Sequence, residues 1–517
     1  MTAGMDTTMR LTQGFSRACQ QKPHATALVC GEVRRNWAEF ADRVARLAAV
    51  LRGLGVQAGD RVSILADSSA EYVETYFGVL WAGGILAPVN TRHARPEMVD
   101  MLADCAPKVL IADPGHLDEA RAIAATQSPA PALIVTGDQP QDGCVAYEAA
   151  VAGVEPAAES SRGGDDVACL FYTGGTTGRA KGVMLSHANL AINALNIAGP
   201  LGLSDETVHL HCGPLFHLGA GARVFATTHF CATHVVLPRF DPRAVLHAIE
   251  RERVTIATFV PTMLGTLLAV PDLAGHDLSS LRTVSYGAAP MPAALQESLG
   301  RTLPSCGLVQ SYGMTETSPV VTMLSPRFHD PALGKNRSAG RAVVGVDLRI
   351  GDAEGHTVAS GTVGEILVGG PTIMRGYWNQ PELTARAIRE GWMHTGDGGF
   401  LDEDGFLTVV DRLKDMIVSG GENVYSAEVE NALYSHPAVE ECAVFGIPHE
   451  VWGEAVHAVV LPRAGYSVTE VALIAHCRTL IAGYKCPKSI TVSATPLPRS
   501  GAGKILKAPL RDSWRNG

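Results

Sequence analysis

The 517-residue sequence predicts an α/β protein with a large, layered N-terminal domain and a smaller α+β domain at the C-terminus. Three observations carry this prediction. Short apolar runs alternate with helical patterns early in the chain, as in parallel sheets whose strands are joined by helices. From Ser426 onward the chain has its own set of strand and helix patterns. The length also exceeds that of one ordinary domain.

The first elements follow from apolar runs and from the residues that start and stop helices. Ser69 suits the N-cap of a helix that Gly83 and Gly84 end. Pro96 suits the first turn of the next helix, where its missing N–H is tolerated. Residues 154–166 are predicted to be a linker. The predicted strands are 61–66, 85–89, 108–113 and 132–136, and the predicted helices are 70–82, 96–105 and 117–125.

The C-terminal elements are predicted from the same signals. Ser426 is predicted to cap a helix over 428–434. Ser467 and Glu470 have the S-x-x-E spacing of a capping box, and an apolar-periodic helix from Val471 to Leu480 should follow them. Strands are predicted at 441–446, 457–461 and 489–493.

The composition is that of a globular protein without a general affinity for nucleic acid. Apolar residues make up 46% of the chain, enough to offset the entropy of ordering. The formal charge is −10, from 42 Lys and Arg against 52 Asp and Glu, whereas nucleic-acid binders are usually basic. A local basic patch for a phosphorylated ligand is compatible with this balance.

Cysteine usage and the N-terminus predict a cytoplasmic protein. The eleven cysteines include no CxxC pair, so a zinc ribbon or thioredoxin-like site has no support, and a reducing compartment is the simpler interpretation. Residues 1–10 lack the apolar core of a signal peptide. No run reaches the ~18 apolar residues of a membrane span, although a peripheral membrane association stays open.

A loop rich in glycine, threonine and cations follows a predicted strand at 167–172. Residues 173–182 read TGGTTGRAKG, in which backbone N–H groups, hydroxyls and two cations can converge on anionic oxygens. The loop is not a Walker motif, because Gly-Lys-Ser/Thr is missing and a second strand, not a helix, follows at 183–185. We predict a polyphosphate cradle formed by Thr173, Gly174, Gly175, Thr176, Thr177, Gly178 and Lys181.

This loop resembles the phosphate loop of the adenylate-forming superfamily, which includes acyl-CoA synthetases, the adenylation domains of nonribosomal peptide synthetases and firefly luciferase. The usual loop has Ser where this chain has Gly174. Five further segments are similar to motifs of that superfamily and occur in its order, which chance would not produce. They are YGAAP at 286–290, QSYGMTET at 310–317, WMHTGD at 392–397, DRLKD at 411–415 and LPRSGAGKILK at 497–507.

The resemblance implies roles for residues in these motifs. Glu316, with Thr173, is expected to hold Mg²⁺, and Lys504 is expected to act on the carboxylate and α-phosphate during adenylation. Asp397 and Arg412 are expected to bind the ribose or phosphate, and Lys414 is the expected hinge. The remaining nucleotide-contacting residues are expected to be Gly287, Ala288, Ala289, Ser311, Tyr312, Gly313 and Thr315.

The resemblance also implies two domains and two half-reactions. The expected domains are 1–413, which would bind AMP, and 414–517, a mobile lid that carries Lys504. A carboxylate would first react with Mg-ATP to give an acyl-adenylate, and after rotation of the lid the thiol of CoA would displace AMP. The expected substrates and cofactors are therefore ATP, Mg²⁺ and CoA. The expected CoA-binding residues are Gly420, Gly421, Trp452, Tyr484, Lys485 and Lys488.

The segment at 212–222 is expected to border the acyl site. Superfamily members that activate amino acids have Asp after the Phe of this segment, whereas this chain has His217, which argues against an amino-acid substrate. Small uncharged residues predict a hydrophobic monocarboxylic acid, and a fatty acid and an aryl acid both fit. The predicted acyl pocket comprises His217, Gly219, Ala220, Gly287, Gly313, Met314 and Val320.

Four functions are compatible with these motifs to different degrees. An AMP-forming acid–CoA ligase is the leading one, and an enzyme that loads an acyl or aryl group onto a carrier protein is the alternative. A luciferase-like oxygenase has no specific support, and a non-catalytic ATP-binding protein is disfavoured by the presence of Glu316, Asp397, Arg412 and Lys504. A homodimer is compatible with the sequence.

Overall fold

The structure is a computed structural model that describes residues 8–137, 139, 141–173, 180–289, 291–419, 422–499 and 505–516, with the backbone alone at 414, 423, 515 and 516. Within these ranges, none of the helices has the length and apolar character needed to cross a membrane. The eleven cysteines are all free thiols.

The strands are named here in chain order. The first fifteen are β1 (Thr26–Cys30), β2 (Val33–Asn36), β3 (Arg61–Leu65), β4 (Ile85–Pro88), β5 (Val109–Ala112), β6 (Ala132–Val135), β7 (Val145–Ala146), β8 (Val167–Thr173), β9 (Lys181–Ser186), β10 (Val208–His211), β11 (Thr233–Val236), β12 (Ile256–Phe259), β13 (Thr283–Gly287), β14 (Gly307–Tyr312) and β15 (Thr322–Leu324). The others are β16 (Arg341–Ala342), β17 (Asp347–Gly351), β18 (Gly364–Gly369), β19 (Gly376–Tyr377), β20 (Ile388–Arg389), β21 (Trp392–Leu401), β22 (Leu407–Arg412), β23 (Ile417–Ser419), β24 (Glu422–Val424), β25 (Val439–His449), β26 (Gly453–Pro462) and β27 (Ser489–Val492).

The helices follow the same convention. They are α1 (Gln13–Gln21), α2 (Trp37–Gly53), α3 (Ala70–Ala82), α4 (Arg95–Cys105), α5 (Leu117–Ala124), α6 (Tyr147–Ala152), α7 (His187–Leu201), α8 (Leu218–His229), α9 (Pro242–Glu252), α10 (Pro261–Leu268), α11 (Ala293–Thr302), α12 (Pro381–Ala387), α13 (Ser426–Tyr434), α14 (Glu470–Arg478) and α15 (Lys507–Asn516). Short 3₁₀ turns include Thr315–Thr317 and Leu413–Asp415.

Two large sheets with many parallel pairs form the layers of the N-terminal domain. One has the order β19-β9-β8-β4-β3-β5-β6-β7, and the other has the order β16-β15-β14-β13-β12-β10-β11-β1-β2. Helices α3, α7 and α8 contribute buried residues to a core shared with both sheets. A third, antiparallel sheet has the order β17-β18-β21-β20, with β22 on β21. The predicted layered α/β architecture is thus confirmed.

The C-terminal domain is built on a separate sheet with the order β24-β23-β26-β25, with β27 parallel to β26. Its hydrophobic clusters draw on residues from Ile417 onward, whereas the main N-terminal core ends at Leu407. This separation confirms a smaller α+β domain after the large one. The exact boundary between Leu413 and Lys414 stays a prediction.

Two predicted helix caps are wrong. Ser426 lies inside α13, whose N-cap is Tyr425, because the Ser426 hydroxyl donates to the Asp411 carboxylate instead. The predicted capping box of Ser467 and Glu470 does not form, since Thr469 is the N-cap of α14 and accepts from the Ala472 N–H. The spacing of residues in the sequence does not determine which of several neighbouring residues becomes the N-cap of a helix.

An ion-pair network around a buried carboxylate joins helices α2, α3 and α6 of the N-terminal domain. Glu74 is fully buried on α3, and Arg43 Nε of α2 lies 2.6 Å from its Oε1. Arg43 Nη2 also lies 2.6 Å from Glu148 Oε1, and the Tyr147 hydroxyl donates to Glu74 Oε2 over 2.8 Å. Burial raises the pKa of Glu74, although Arg43 and Tyr147 oppose this shift.

Arg43→Met should destabilise the fold by about 3–5 kcal/mol, because it removes the nearer of the two cations beside the buried Glu74 and leaves only Arg35, at 4.0 Å. The pKa of Glu74 in the folded variant should then rise further. The loss of unfolding free energy should therefore be largest above this raised pKa, and it should become smaller as the pH falls through it. Urea unfolding at several pH values measures both effects. Arg95→Met, which removes an exposed pair with Glu119, is the control and should leave the midpoint nearly unchanged. A midpoint for Arg43→Met equal to that control would refute the role assigned to the network.

Candidate active site

The predicted phosphate loop connects β8 and β9, two antiparallel strands next to the short edge strand β19 of a large sheet. Thr173, the last residue of β8, pairs with Lys181, the first residue of β9. The ammonium group of Lys181 lies 5.3 Å from the centre of the Tyr377 ring. Thr173 and Lys181 are therefore side by side where the loop begins and ends, as a cradle requires. Gly174, Gly175, Thr176, Thr177 and Gly178 lie outside the described residues.

The two motifs at 286–290 and 310–317 meet on adjacent parallel strands. Gly287 of β13 pairs with Ser311 of β14, and a Cβ added to Gly287 would lie 2.5 Å from the Ser311 carbonyl oxygen. Ala288, which follows, is exposed and has a φ of 66°, in the left-handed region that costs a residue with a Cβ some free energy. Gly287, Ala288 and Ala289 therefore carry no large side chain at the end of β13.

Glu316 lies in a 3₁₀ turn and is almost completely buried, with 7% of its surface exposed. Its Oε1 accepts a hydrogen bond from the Tyr377 hydroxyl over 2.9 Å. Burial raises the pKa of this carboxyl, although Tyr377, Arg412 and Lys181 act in the opposite direction. No described cation forms an ion pair with it. A buried, unpaired carboxylate is a hard oxygen donor, and it therefore fits Mg²⁺.

Asp397 is held from both sides by residues that come from different motifs. The Tyr312 hydroxyl donates to its Oδ2 over 2.8 Å, and Arg412 Nε lies 2.6 Å from its Oδ1. Burial and the neighbouring Asp397 raise the pKa of Tyr312, so the hydroxyl stays a donor. Thr315, like Glu316, is in the turn that follows Tyr312. The structure thus brings together the predicted ribose-binding pair and the predicted nucleotide-facing tyrosine.

The residues of the predicted acyl pocket come from the start of α8, from the ends of β13 and β14 and from the residues that follow β14. His217 is the N-cap of α8, and its ring packs 4.8 Å from that of Phe216. Ala220 lies close to Gly213, whereas Gly219 is exposed on the first turn. Gly313 has a φ of 157°, and a Cβ there would lie 1.9 Å from the Pro319 oxygen. Met314 and Val320 pack in the main N-terminal core.

The predicted CoA-binding residues of the C-terminal domain form an exposed aromatic and basic group. The Trp452 ring stacks on His449 at 4.2 Å, and the Lys488 ammonium group lies 5.1 Å from its centre. Tyr484 is 43% exposed. Lys485, however, forms an ion pair with Glu428 at 2.8 Å and would have to leave it to bind a phosphate.

Gly420, Gly421 and Lys504 lie outside the described residues, and only the backbone of Lys414 is described, within a 3₁₀ turn. The residues on either side of the Lys504 segment are fixed, since Arg499 and Ile505 form an antiparallel bridge. Tyr377 is the main residue that the sequence analysis missed. It lies 61 positions from Glu316, and no local pattern indicates their contact.

Comparisons with known proteins agree with this geometry. Residues 15–378 match the model of a family described as AMP-binding enzyme, and residues 428–504 match that of the AMP-binding enzyme C-terminal domain. A feruloyl-CoA synthase of Amycolatopsis sp. is 44% identical over 500 residues, covering 96% of this chain and 97% of that protein. An indoleacetate–CoA ligase of Aromatoleum aromaticum is 38% identical over 506 residues, covering 97% and 98% of the two chains.

A solved structure is similar over nearly the whole chain. The anthranilate CoA ligase AuaEII in complex with anthranoyl-AMP has a TM-score of 0.91 with this structure, at 28% identity and with 98% of each chain covered. The matching models, relatives and structure extend over both domains. This chain therefore belongs to the AMP-binding enzyme family.

Proposed function

We propose that the acid activated by this chain is an aryl acid, one of the two hydrophobic classes that the sequence permits. The chain is an ATP-dependent, AMP-forming acid–CoA ligase that works through an acyl-adenylate. The observation that carries the proposal is its similarity to enzymes named for ferulate and indoleacetate, at 44% and 38% identity over nearly full length.

In the first half-reaction a carboxylate oxygen bonds to the α-phosphorus of ATP and pyrophosphate leaves. The carboxylate is already ionised near neutral pH, so positioning and charge neutralisation suffice. Asp397 and Arg412 would hold the ribose, and Thr173 and Lys181 the phosphates. Mg²⁺, held by Glu316 with Thr173, would supply positive charge beside the phosphate oxygens. Lys504 would add a cation from the C-terminal domain.

In the second half-reaction the sulfur of CoA bonds to the acyl carbon and AMP leaves. We infer that the domain from Lys414 onward rotates between the two steps and acts as a lid, as the resemblance implies. The exposed Trp452 and Lys488 would contact the nucleotide end of CoA, by stacking and by charge respectively. Lys485 could join them only by exchanging Glu428 for a phosphate.

The location and oligomeric state are part of the proposal. Eleven free thiols suit a reducing compartment, which supports a cytoplasmic enzyme. The proposed oligomer is a homodimer.

The test is AMP release from Mg-ATP with separate panels of aryl and aliphatic acids, each with and without CoA. We expect AMP only when an aryl acid and CoA are both present. A larger signal from the aliphatic panel would refute the aryl substrate and keep the ligase. Acid-dependent pyrophosphate exchange without turnover by CoA would instead favour the loading of a carrier protein.

A further inference from the structure

A buried group of polar side chains lies under α8, one turn deeper than the predicted acyl pocket. Arg223 is three residues after Ala220 and therefore about 4.5 Å further along the helix. Only 3% of its surface is exposed, and its Nη1 has no hydrogen-bonding partner among the residues that the structure describes. In the described part of the chain no carboxylate forms an ion pair with it.

The side of the sheet on which α7 and α8 pack presents further polar groups. On β13, Val284 and Tyr286 belong to the core on the far side of the sheet, so Ser285 faces the side that carries α7 and α8. On β12, Ala257 and Phe259 face the far side, so Thr258 faces the same side as Ser285. Thr258 and Ser285 are direct partners in the parallel ladder. The hydroxyl oxygens of both are buried and unpaired in this structure.

Strand β10 extends this polar surface. His209 pairs in register with Ile256 of β12, and two residues further on His211 comes level with Thr258. His211 Nε2 lies 3.1 Å from His234 Nδ1, and His209 Nδ1 lies 3.0 Å from the Thr227 hydroxyl on α8. Burial, and to a smaller extent the nearby Arg223, lowers the pKa of His211 to about 3, so its ring is neutral at physiological pH. His211 therefore adds no positive charge that could attract an anionic ligand or repel a cationic one.

Arg223 is thus the charged group of this cluster, and its guanidinium lacks a negatively charged partner among the described residues. Burial lowers the pKa of Arg223 to about 10, and the guanidinium is still protonated at neutral pH. A buried cation without a counter-charge is costly, and a guanidinium can donate hydrogen bonds but cannot accept them. The missing partner must therefore be an acceptor, and an oxygen atom of a bound ligand would supply it.

We propose that Arg223, with Thr258 and Ser285, binds an oxygen atom at the end of the acid that is remote from its reacting carboxylate. The site therefore selects acids that carry a hydroxyl or a second carboxylate at that end. This inference rests on the proposed function, because it narrows the class of acid. Ser285 is two residues before Gly287, or about 7 Å deeper, which suits a substituent across an aromatic ring from its acid side chain.

The test compares three acids of the same shape: cinnamate, 4-hydroxycinnamate and 4-carboxycinnamate. The measurement is kcat/KM for acid-dependent ATP–pyrophosphate exchange, expressed as the ratio of each oxygen-bearing acid to cinnamate. We expect at least one ratio to exceed about tenfold in the parent enzyme, because a buried donor left unpaired penalises the plain acid. Preference for the 4-carboxylate indicates recognition of an anion, and preference for the 4-hydroxyl indicates recognition of a neutral acceptor.

Arg223→Met should bring that ratio close to one, and Ser285→Ala should lower it several-fold. Arg95→Met, on the surface, is the matched control and should leave the ratio unchanged. The proposal is overturned if the parent prefers cinnamate, or if Arg223→Met slows all three acids equally. Should that variant fail to fold, an unchanged ratio in Ser285→Ala overturns it instead. If the parent exchanges pyrophosphate with all three acids at similar kcat/KM, this inference is wrong and the proposed function stands. If no aryl acid supports exchange, the proposed function is wrong as well.

Discussion

Glu316→Gln should reduce acid-dependent pyrophosphate exchange by roughly 10³-fold and leave the protein at least as stable as the parent. The loss follows because an amide is a far weaker ligand for Mg²⁺ than a carboxylate, while negative charge has to be neutralised during adenylation. The fold should tolerate the change, since Gln has the same shape and can still accept the hydrogen bond from Tyr377.

The expected gain in stability comes from the sign of the pKa shift. Because burial raises the pKa of Glu316, the folded protein binds a proton there more tightly than the unfolded chain does. The ionised carboxylate therefore costs stability above the folded pKa, and the cost is relieved as the pH falls through it. Urea unfolding without ligands should show Glu316→Gln gaining on the parent at neutral pH and losing this advantage in acid.

Tyr377→Phe is the matched control for this site. It removes the donor to Glu316 Oε1 and keeps the carboxylate, so we expect a smaller loss of about 10–100-fold that higher Mg²⁺ partly restores. Exchange rates near that of the parent in Glu316→Gln would contradict the metal-binding role. A strongly destabilised Glu316→Gln would instead show that the carboxylate serves the fold.

The early strands and helices could be predicted almost to the residue because their ends are chemically marked. Ser69 accepts from the Tyr72 N–H, and Gly83 has a φ of 90°, so the predicted helix 70–82 is α3 without adjustment. By contrast, the sequence does not predict α7 and α8. Most residues of both are buried, so neither shows the alternation between a polar and an apolar face on which sequence reasoning depends.

The site shows the same division between local and tertiary information. Thr173, Glu316 and Asp397 lie in linear motifs, and their motifs could be recognised without a structure. The partners that hold them, such as Tyr377, come from distant segments with no marking of their own. Gly219 and Ala220 predict an apolar acyl pocket, and nothing in the sequence indicates that Arg223, one turn further along α8, is buried.

Lys504→Ala should separate the two half-reactions. We expect acid-dependent pyrophosphate exchange to fall by about 10²–10³-fold, because a cation is withdrawn from the charge that builds on the carboxylate and α-phosphate. Thioester formation from a supplied acyl-adenylate and CoA should stay within a few-fold of the parent, since the lysine is expected to leave the site before that step. Rapid-quench measurement of each half-reaction provides both numbers.

The lysine three residues further on offers a control that distinguishes chemistry from folding. Lys507 Nζ lies 2.8 Å from Glu430 Oε1, and burial raises the pKa of that carboxyl although Lys507 opposes it. Lys507→Met should therefore lower stability and spare exchange, the reverse of Lys504→Ala. Arg499, five residues before Lys504, forms an ion pair with Glu441 at 2.7 Å. We therefore expect Arg499 to keep its position in Lys504→Ala. Equal loss of both half-reactions in Lys504→Ala would contradict a role confined to adenylation, and with it the need for the lid to move between the steps.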